Sequence, residues 1–174
     1  EWKKIDILIN NAGLAVGLNK LHEGGVDDWE RMIDTNIKGL LYVTRTVVPL
    51  MKQRGSGHVI NIGSTAGKEV YPGGNVYCAT KHAVDALTKG LRIDLLGENI
   101  KVTQIAPGLV ETEFSEVRFK GDTKKAGTVY KGYQPLQGRD IADIAFYVAS
   151  LPPHVCINDL VVTPLAQANS YLVN

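Results

Sequence analysis

The stretch Gly63–Lys81, GSTAGKEVYPGGNVYCATK, decides how this chain is read. It closes on Tyr77-Cys78-Ala79-Thr80-Lys81. If that pentad opens a helix, Tyr77 and Lys81 share one face and their tips can meet at one small reacting group. Ser64 stands before it, just after the apolar run His58–Ile62. A hydroxyl at a strand end, a phenol and an ammonium make a proton-transfer site for an alcohol or a carbonyl. A free tyrosine has a pKa of about 10 and is a poor base at neutral pH. A neighbouring ammonium favours the phenolate, so Lys81 is expected to lower the pKa of Tyr77. Ser64 would hold the substrate oxygen while Tyr77 takes or gives the proton. The hydride must go elsewhere, which implies a redox cofactor. Taken alone, the pentad also fits an ordinary helix with a solvated lysine.

Working outward, four further motifs accompany the pentad. Asn10-Asn11-Ala12-Gly13 follows the apolar run Ile5–Ile9, and Asn36 stands in Asn36-Ile-Lys-Gly39. Ser64 closes Asn61-Ile-Gly-Ser64, and Pro107-Gly108-Leu-Val-Glu-Thr112 follows the run Lys101–Ala106. In this order and spacing the set resembles the classical short-chain dehydrogenase/reductase family, over essentially the whole chain. The resemblance implies an α/β fold, a Rossmann-like doubly wound parallel sheet, in a single domain. It implies a catalytic tetrad of Asn36, Ser64, Tyr77 and Lys81, with Asn36 kinking its helix and holding a water that links Lys81 to solvent. It also implies cofactor contacts from Asn10, Ala12, Gly13, Tyr77, Lys81, Pro107, Gly108, Val110 and Thr112, the last two at the carboxamide. Without that company, Asn10–Gly13 would read as a plain turn and Asn36 as an exposed polar position.

Thr112-Glu-Phe-Ser115, Val117-Arg-Phe-Lys-Gly-Asp122 and Leu151-Pro-Pro-His-Val155 with Ile157-Asn158 narrow the match. They resemble a subgroup that oxidises 3-hydroxy acids with NADP and includes serine and L-allo-threonine dehydrogenases. The expected cofactor is therefore NADP, with NAD as the alternative, and the expected substrate is a small 3-hydroxy acid. Arg118 is the candidate to grip its carboxylate in a bidentate fork; the alternative is a surface arginine. A carbonyl reductase acting on a ketone, sugar or acyl thioester keeps the same chemistry. A catalytically silent subunit acting in assembly is the reading from another class. No Gly-rich dinucleotide turn precedes a helix in this sequence, so the resemblance places the chain over about the C-terminal two-thirds of the family's domain.

Composition agrees with a globular domain, at 44% apolar and 21% charged residues. A formal net charge of +1 argues against a broad nucleic-acid footprint. No apolar run is long enough for a membrane span, and no secretory signal pattern opens the chain. Cys78 and Cys156 lack metal spacing and read as two reduced thiols in a cytoplasmic protein; no metal is expected.

The remaining chain reads as a βα succession. Ile5–Ile9 is expected as a strand buried on both faces. Asp27 or Asp28 would cap a helix from about Trp29 to Lys52, whose stripe is Met32, Ile33, Ile37, Leu40, Leu41, Val43 and Thr44. Lys68–Asn75 is a loop, with Tyr71 a weak substrate contact or simply part of a turn. The helix Val76–Gly97 carries a stripe too wide for packing on the sheet alone, and family members pair this helix with a second subunit, so a homodimer or homotetramer is expected. His82 should face outward. Residues 113–137 read as a mobile substrate lid. Asp140 would cap a helix that turns Ile141, Ile144, Ala145, Val148 and Leu151 inward and ends at Pro152-Pro153. Asp159–Thr163 is the last strand, and the polar tail 164–174 is of the kind that in related enzymes reaches a neighbouring subunit.

Overall fold

The computed structural model describes residues 4–174. Four parallel strands form the central sheet: β1 (Ile7–Asn10), β2 (Gly57–Ile62), β3 (Ile100–Pro107) and β6 (Asp159–Val162), ordered β1-β2-β3-β6. Their register sets Asn10 beside Asn61 and Ile62 beside Ile105. The C-terminal strand ends therefore lie along one edge of the sheet, where ligands of open α/β sheets bind. Between β3 and β6 the chain forms β4 (Val110–Glu111), α4 (Phe114–Arg118), α5 (Thr123–Thr128) and β5 (Leu136–Gln137), with β4 and β5 paired in parallel.

Alternation along the strands builds two layers. On one face, Val59 and Val102 pack with Val47, Val48 and Met51 of α2 (Leu40–Arg54) and with Leu95, just past the end of α3 (Asn75–Asp94). On the other face, Ile60 and Ile105 pack with Ala145 and Val148 of α6 (Gly138–Ser150), joined by Ile141 and Ile144. Helices thus cover both faces, as a doubly wound sheet requires. The first strand departs from expectation. Leu8 packs against the α2 cluster, but Ile7 and Ile9 are 43% and 48% exposed. Those two point to the face covered by α6, and α6 lies over β2, β3 and β6 without reaching β1.

The first helix also differs. It starts at Val26, with Gly25 at the N-cap and no side-chain cap, so Asp27 and Asp28 are first-turn residues that favour the helix dipole rather than caps. The expected single helix is three segments: α1 (Val26–Ile33), a π-helical turn (Asp34–Gly39) and α2. Widening by one residue rotates the inward face, so Thr44, Val47, Val48 and Met51 are buried whereas Leu41 and Val43 are exposed. At α6 the N-cap is Gln137, and Asp140 completes a capping box by accepting from the Gln137 backbone N–H at 2.7 Å. Pro152 follows its C-cap, Leu151. No helix among the described residues is long and apolar enough to cross a membrane. Cys78 is buried, Cys156 is exposed, and both are free thiols.

Candidate active site

Asn36 sits in the π-helical turn and is buried, so the exposed alternative falls away. Its amide group exchanges two hydrogen bonds with the Leu14 backbone, accepting from N–H at 2.9 Å and donating to C=O at 2.8 Å. The same Nδ2 donates to Thr80 Oγ1 at 3.0 Å, and Thr80 in turn donates to the Tyr77 carbonyl at 2.8 Å. One amide thereby ties the loop after β1 to the helix that carries Tyr77 and Lys81. Thr80 was invisible as a functional residue; its position between Tyr77 and Lys81 was the only signal.

Tyr77 and Lys81 lie on one face of the first turns of α3 and both are buried. Lys81 Nζ donates to the Ile62 carbonyl at 3.0 Å and lies 6.0 Å from the Tyr77 ring centroid. Ser64 directly follows β2 plus Gly63 and caps a 3-10 turn, Thr65–Gly67, its Oγ accepting from Ala66 N–H at 3.1 Å. Ser64 favours the ionised form of the Tyr77 phenol. Phe114 packs on Tyr77, with ring centroids 5.6 Å apart.

The electrostatics correct one expectation. Burial pushes the Tyr77 phenol above its ordinary value, with Tyr71 adding to the rise, while Ser64 and Arg118 pull weakly the other way. Burial also pulls the Lys81 ammonium down to about 8. Lys81 is not among the groups that pull the Tyr77 phenol down, and burial dominates. The phenol is a proton donor at neutral pH, suited to protonating a carbonyl oxygen.

Arg118, at the end of α4, enters the same site. Its Nη2 donates to the Tyr71 hydroxyl at 2.8 Å, and its guanidinium lies 5.3 and 5.7 Å from the Tyr71 and Tyr77 rings. Its Nε is buried without a hydrogen-bond partner, an unsatisfied donor in the lining of the cleft. Arg118 is half-buried rather than fully solvated.

Ser64, Tyr71, Tyr77, Lys81 and Arg118 line one cleft of about 1090 Å³, together with Gly13, Pro107, Gly108, Val110 and Thr112, whereas Asn36 lies outside its lining. Gly13 packs beside them: a side-chain carbon there would lie in ordinary contact, 3.4 Å from both Asn36 Oδ1 and Lys81 Nζ. Asn10 is placed differently, its Nδ2 donating to Asn61 Oδ1 at 2.8 Å and Thr44 Oγ1 at 3.1 Å. It joins the strands, while its neighbour Asn11 lines the cleft. Ala12 is exposed beside them. His82 faces outward, as expected, with Nδ1 at 2.9 Å from the Cys78 carbonyl.

The expected lid, residues 113–137, is built of α4 and α5 and is anchored at its base. The Tyr130 hydroxyl donates to the Val110 carbonyl at 2.9 Å and accepts from Ser115 Oγ at 2.7 Å. Lys120 pairs with Asp28 at 2.8 Å, and Gly17 N–H donates to the Arg118 carbonyl at 2.9 Å. The tail turns back on its own chain: Gln167, Ser170 and Tyr171 line the cleft.

A buried Tyr–Lys pair one helical turn apart, a serine at a strand end and a buried asparagine in a widened helix meet at the edge of a parallel sheet, with side chains of the chemistry that carbonyl–alcohol proton transfer needs. The chain belongs to the short chain dehydrogenase family, whose model matches residues 1–123. It is 54% identical over 169 residues to the NADP-dependent 3-hydroxy acid dehydrogenase of Salmonella typhi, covering 97% of this chain and 68% of that protein. A protein of the same name from Schizosaccharomyces pombe is 44% identical over 170 residues, covering 98% of this chain and 66% of that protein. Among solved structures, the closed form of serine dehydrogenase complexed with NADP+ superposes with a TM-score of 0.96 at 52% identity, covering 99% of this chain and 70% of that one.

Proposed function

We propose that this oxidoreductase transfers a hydride between NADP(H) and the hydroxyl-bearing carbon of a small 3-hydroxy acid. The observation that carries the substrate class is Arg118. A half-buried guanidinium 5.7 Å from the Tyr77 ring, with Nε unpartnered and Nη2 held by Tyr71, suits a carboxylate close to the reacting carbon. The similarity to 3-hydroxy acid dehydrogenases and to serine dehydrogenase supports the same class.

The residues of the cleft fit a dinucleotide. Lys81 Nζ carries three donors and uses one on Ile62, leaving donors for ribose hydroxyls. Pro107, Gly108, Val110 and Thr112 border the cleft at the end of β3. The nicotinamide, when bound, supplies the hydride chemistry. The chain's own residues then handle the proton and the orientation. Ser64 and Tyr77 converge on the substrate oxygen. In reduction the phenol proton passes from Tyr77 Oη to the carbonyl oxygen; in oxidation the alcohol proton returns to it. Ser64 and Arg118 favour the phenolate left behind, and Asn36 holds the Leu14 loop against α3.

The test is a steady-state comparison on serine, allo-threonine and 3-hydroxy acids with NADP. Arg118→Ala is expected to raise KM for the acids about 100-fold, in line with losing a charge-assisted pair worth ~2–3 kcal/mol. An unchanged KM would remove the acid assignment and favour reduction of a neutral ketone. The protein is also proposed to work as a homo-oligomer. Leu41, Tyr42 and Val43 of α2 are exposed together, and Ala79 on α3 is exposed as well. Sedimentation velocity giving a monomer at micromolar concentration would refute this.

A further inference from the structure

Part of the cleft wall comes from a segment that no motif singled out. Gln167, in the tail after β6, is 5% exposed. Its Oε1 accepts from Leu109 N–H at 2.9 Å, and its Nε2 donates to the Asn169 carbonyl at 2.9 Å. Leu109 belongs to the Pro107-Gly108-Leu109 turn, whose Gly108 N–H donates to the Val162 carbonyl at 2.7 Å. The Gln167 amide lies directly on that turn: a side-chain carbon on Gly108 would come 2.0 Å from Oε1 and 2.8 Å from Cδ.

Gln167 is itself held by the folded tail. Asn169 Oδ1 accepts from the N–H groups of Tyr171 and Leu172, at 3.0 and 2.7 Å. Ser170 N–H donates to Glu69 Oε2 at 2.9 Å, which pins the tail to the loop before α3. Ser170 and Tyr171 then face the same cleft as Tyr71 and Arg118.

We propose that Gln167 is a positioning residue for NADP(H) binding, acting by holding the Pro107–Leu109 turn in place from the tail; this rests on the cofactor assignment above. The chemistry selects an amide. A buried backbone N–H needs an acceptor, and the Asn169 carbonyl needs a donor. A leucine offers neither. A glutamate accepts from Leu109 but sets a carboxylate against the Asn169 carbonyl.

NADPH affinity, measured by fluorescence titration, and amide hydrogen exchange at Leu109 in the ligand-free protein test this together. Gln167→Leu is expected to weaken NADPH about tenfold, to deprotect the Leu109 amide, and to leave KM for the acid within about twofold. Gln167→Glu keeps the acceptor for Leu109, so it should protect that amide better than Gln167→Leu does and recover part of the NADPH affinity. Should Gln167→Leu fail to fold, Gln167→Met carries the test, since it keeps the length and removes both polar groups. Unchanged NADPH affinity or unchanged Leu109 exchange would overturn the proposal. If the wild type does not bind NADPH but Leu109 loses protection in Gln167→Leu, the cofactor assignment fails and the positioning of the turn stands.

Discussion

At Tyr77 and Lys81, burial works against both charged forms. The phenol is raised and the ammonium is lowered to about 8, so the pair is a cost to the fold kept for its chemistry. Between pH 8 and 10.5 the unfolded chain holds a proton on this lysine that the folded chain has released. Stability therefore rises with pH across that window, and the penalty is complete below it. Lys81→Met is accordingly expected to stabilise the protein at pH 7 by roughly 1–3 kcal/mol, despite losing the bond to Ile62, while abolishing turnover. Chemical denaturation at pH 7 and pH 10 checks this; an equal gain at both would reject the linkage. Tyr77→Phe removes the proton donor and keeps the ring against Phe114. Its kcat should fall ~10²–10⁴-fold with a near-normal melting temperature.

At the scale of elements, the π-helical turn Asp34–Gly39 is the device that makes the site. An unbroken helix could not bury Thr44, Val47, Val48 and Met51 against the sheet while also aiming Asn36 at Leu14 and Thr80. Asn36→Ala forfeits three hydrogen bonds and leaves the Leu14 groups without side-chain partners. It should cost about 2–4 kcal/mol, read as a lower denaturation midpoint, together with weakened activity. Asn36→Asp keeps an acceptor for the Leu14 N–H but not the donors, and should lie between. An asparagine in a helical stripe looks only like a poor helix former; the widened turn that gives it work is a tertiary outcome.

Across the whole molecule, polar side chains cross the sheet beneath the site. Asn10 links to Asn61, Asn61 donates to Thr88 of α3 at 2.9 Å, and Gln104 Nε2 reaches Asp85 and Asp159. Lys68 pairs with both aspartates and Lys89 with Asp85. Burial raises the Asp85 carboxyl, but its bonds to Lys68, Lys89 and Gln104 outweigh that and hold it at about 2. On the other face His58 is buried, its Nε2 at 2.8 Å from Thr103 Oγ1, and burial pulls it down to about 4, with the Lys101 charge adding. Between pH 6.5 and 4 the unfolded chain binds a proton at His58 that the folded chain does not, so stability falls as pH falls through that window. Asp85 stability is present above about pH 4 and lost as pH falls towards 2. Denaturation midpoints from pH 7 to 4 should decline, and His58→Gln should flatten that decline; an unchanged slope would assign the acid limb to other groups.

The sequence alone determined what local spacing and residue chemistry control. Tyr77 and Lys81 share a face because helical geometry puts i and i+4 together. The runs at β2 and β3 deliver Ser64 and Pro107 to one sheet edge because parallel strands end there. The single long helix, the both-sides burial of β1 and the lowering of Tyr77 by Lys81 did not survive. Each depends on what packs against a residue from far along the chain. Only the tertiary structure decided that Arg118 meets Tyr71 across 47 residues, that the tail returns to its own cleft, and that Gln167 sits on Gly108. A polar residue in a polar tail carries no periodic or motif signal. Its partner 58 residues away is set by how the last strand docks beside β3.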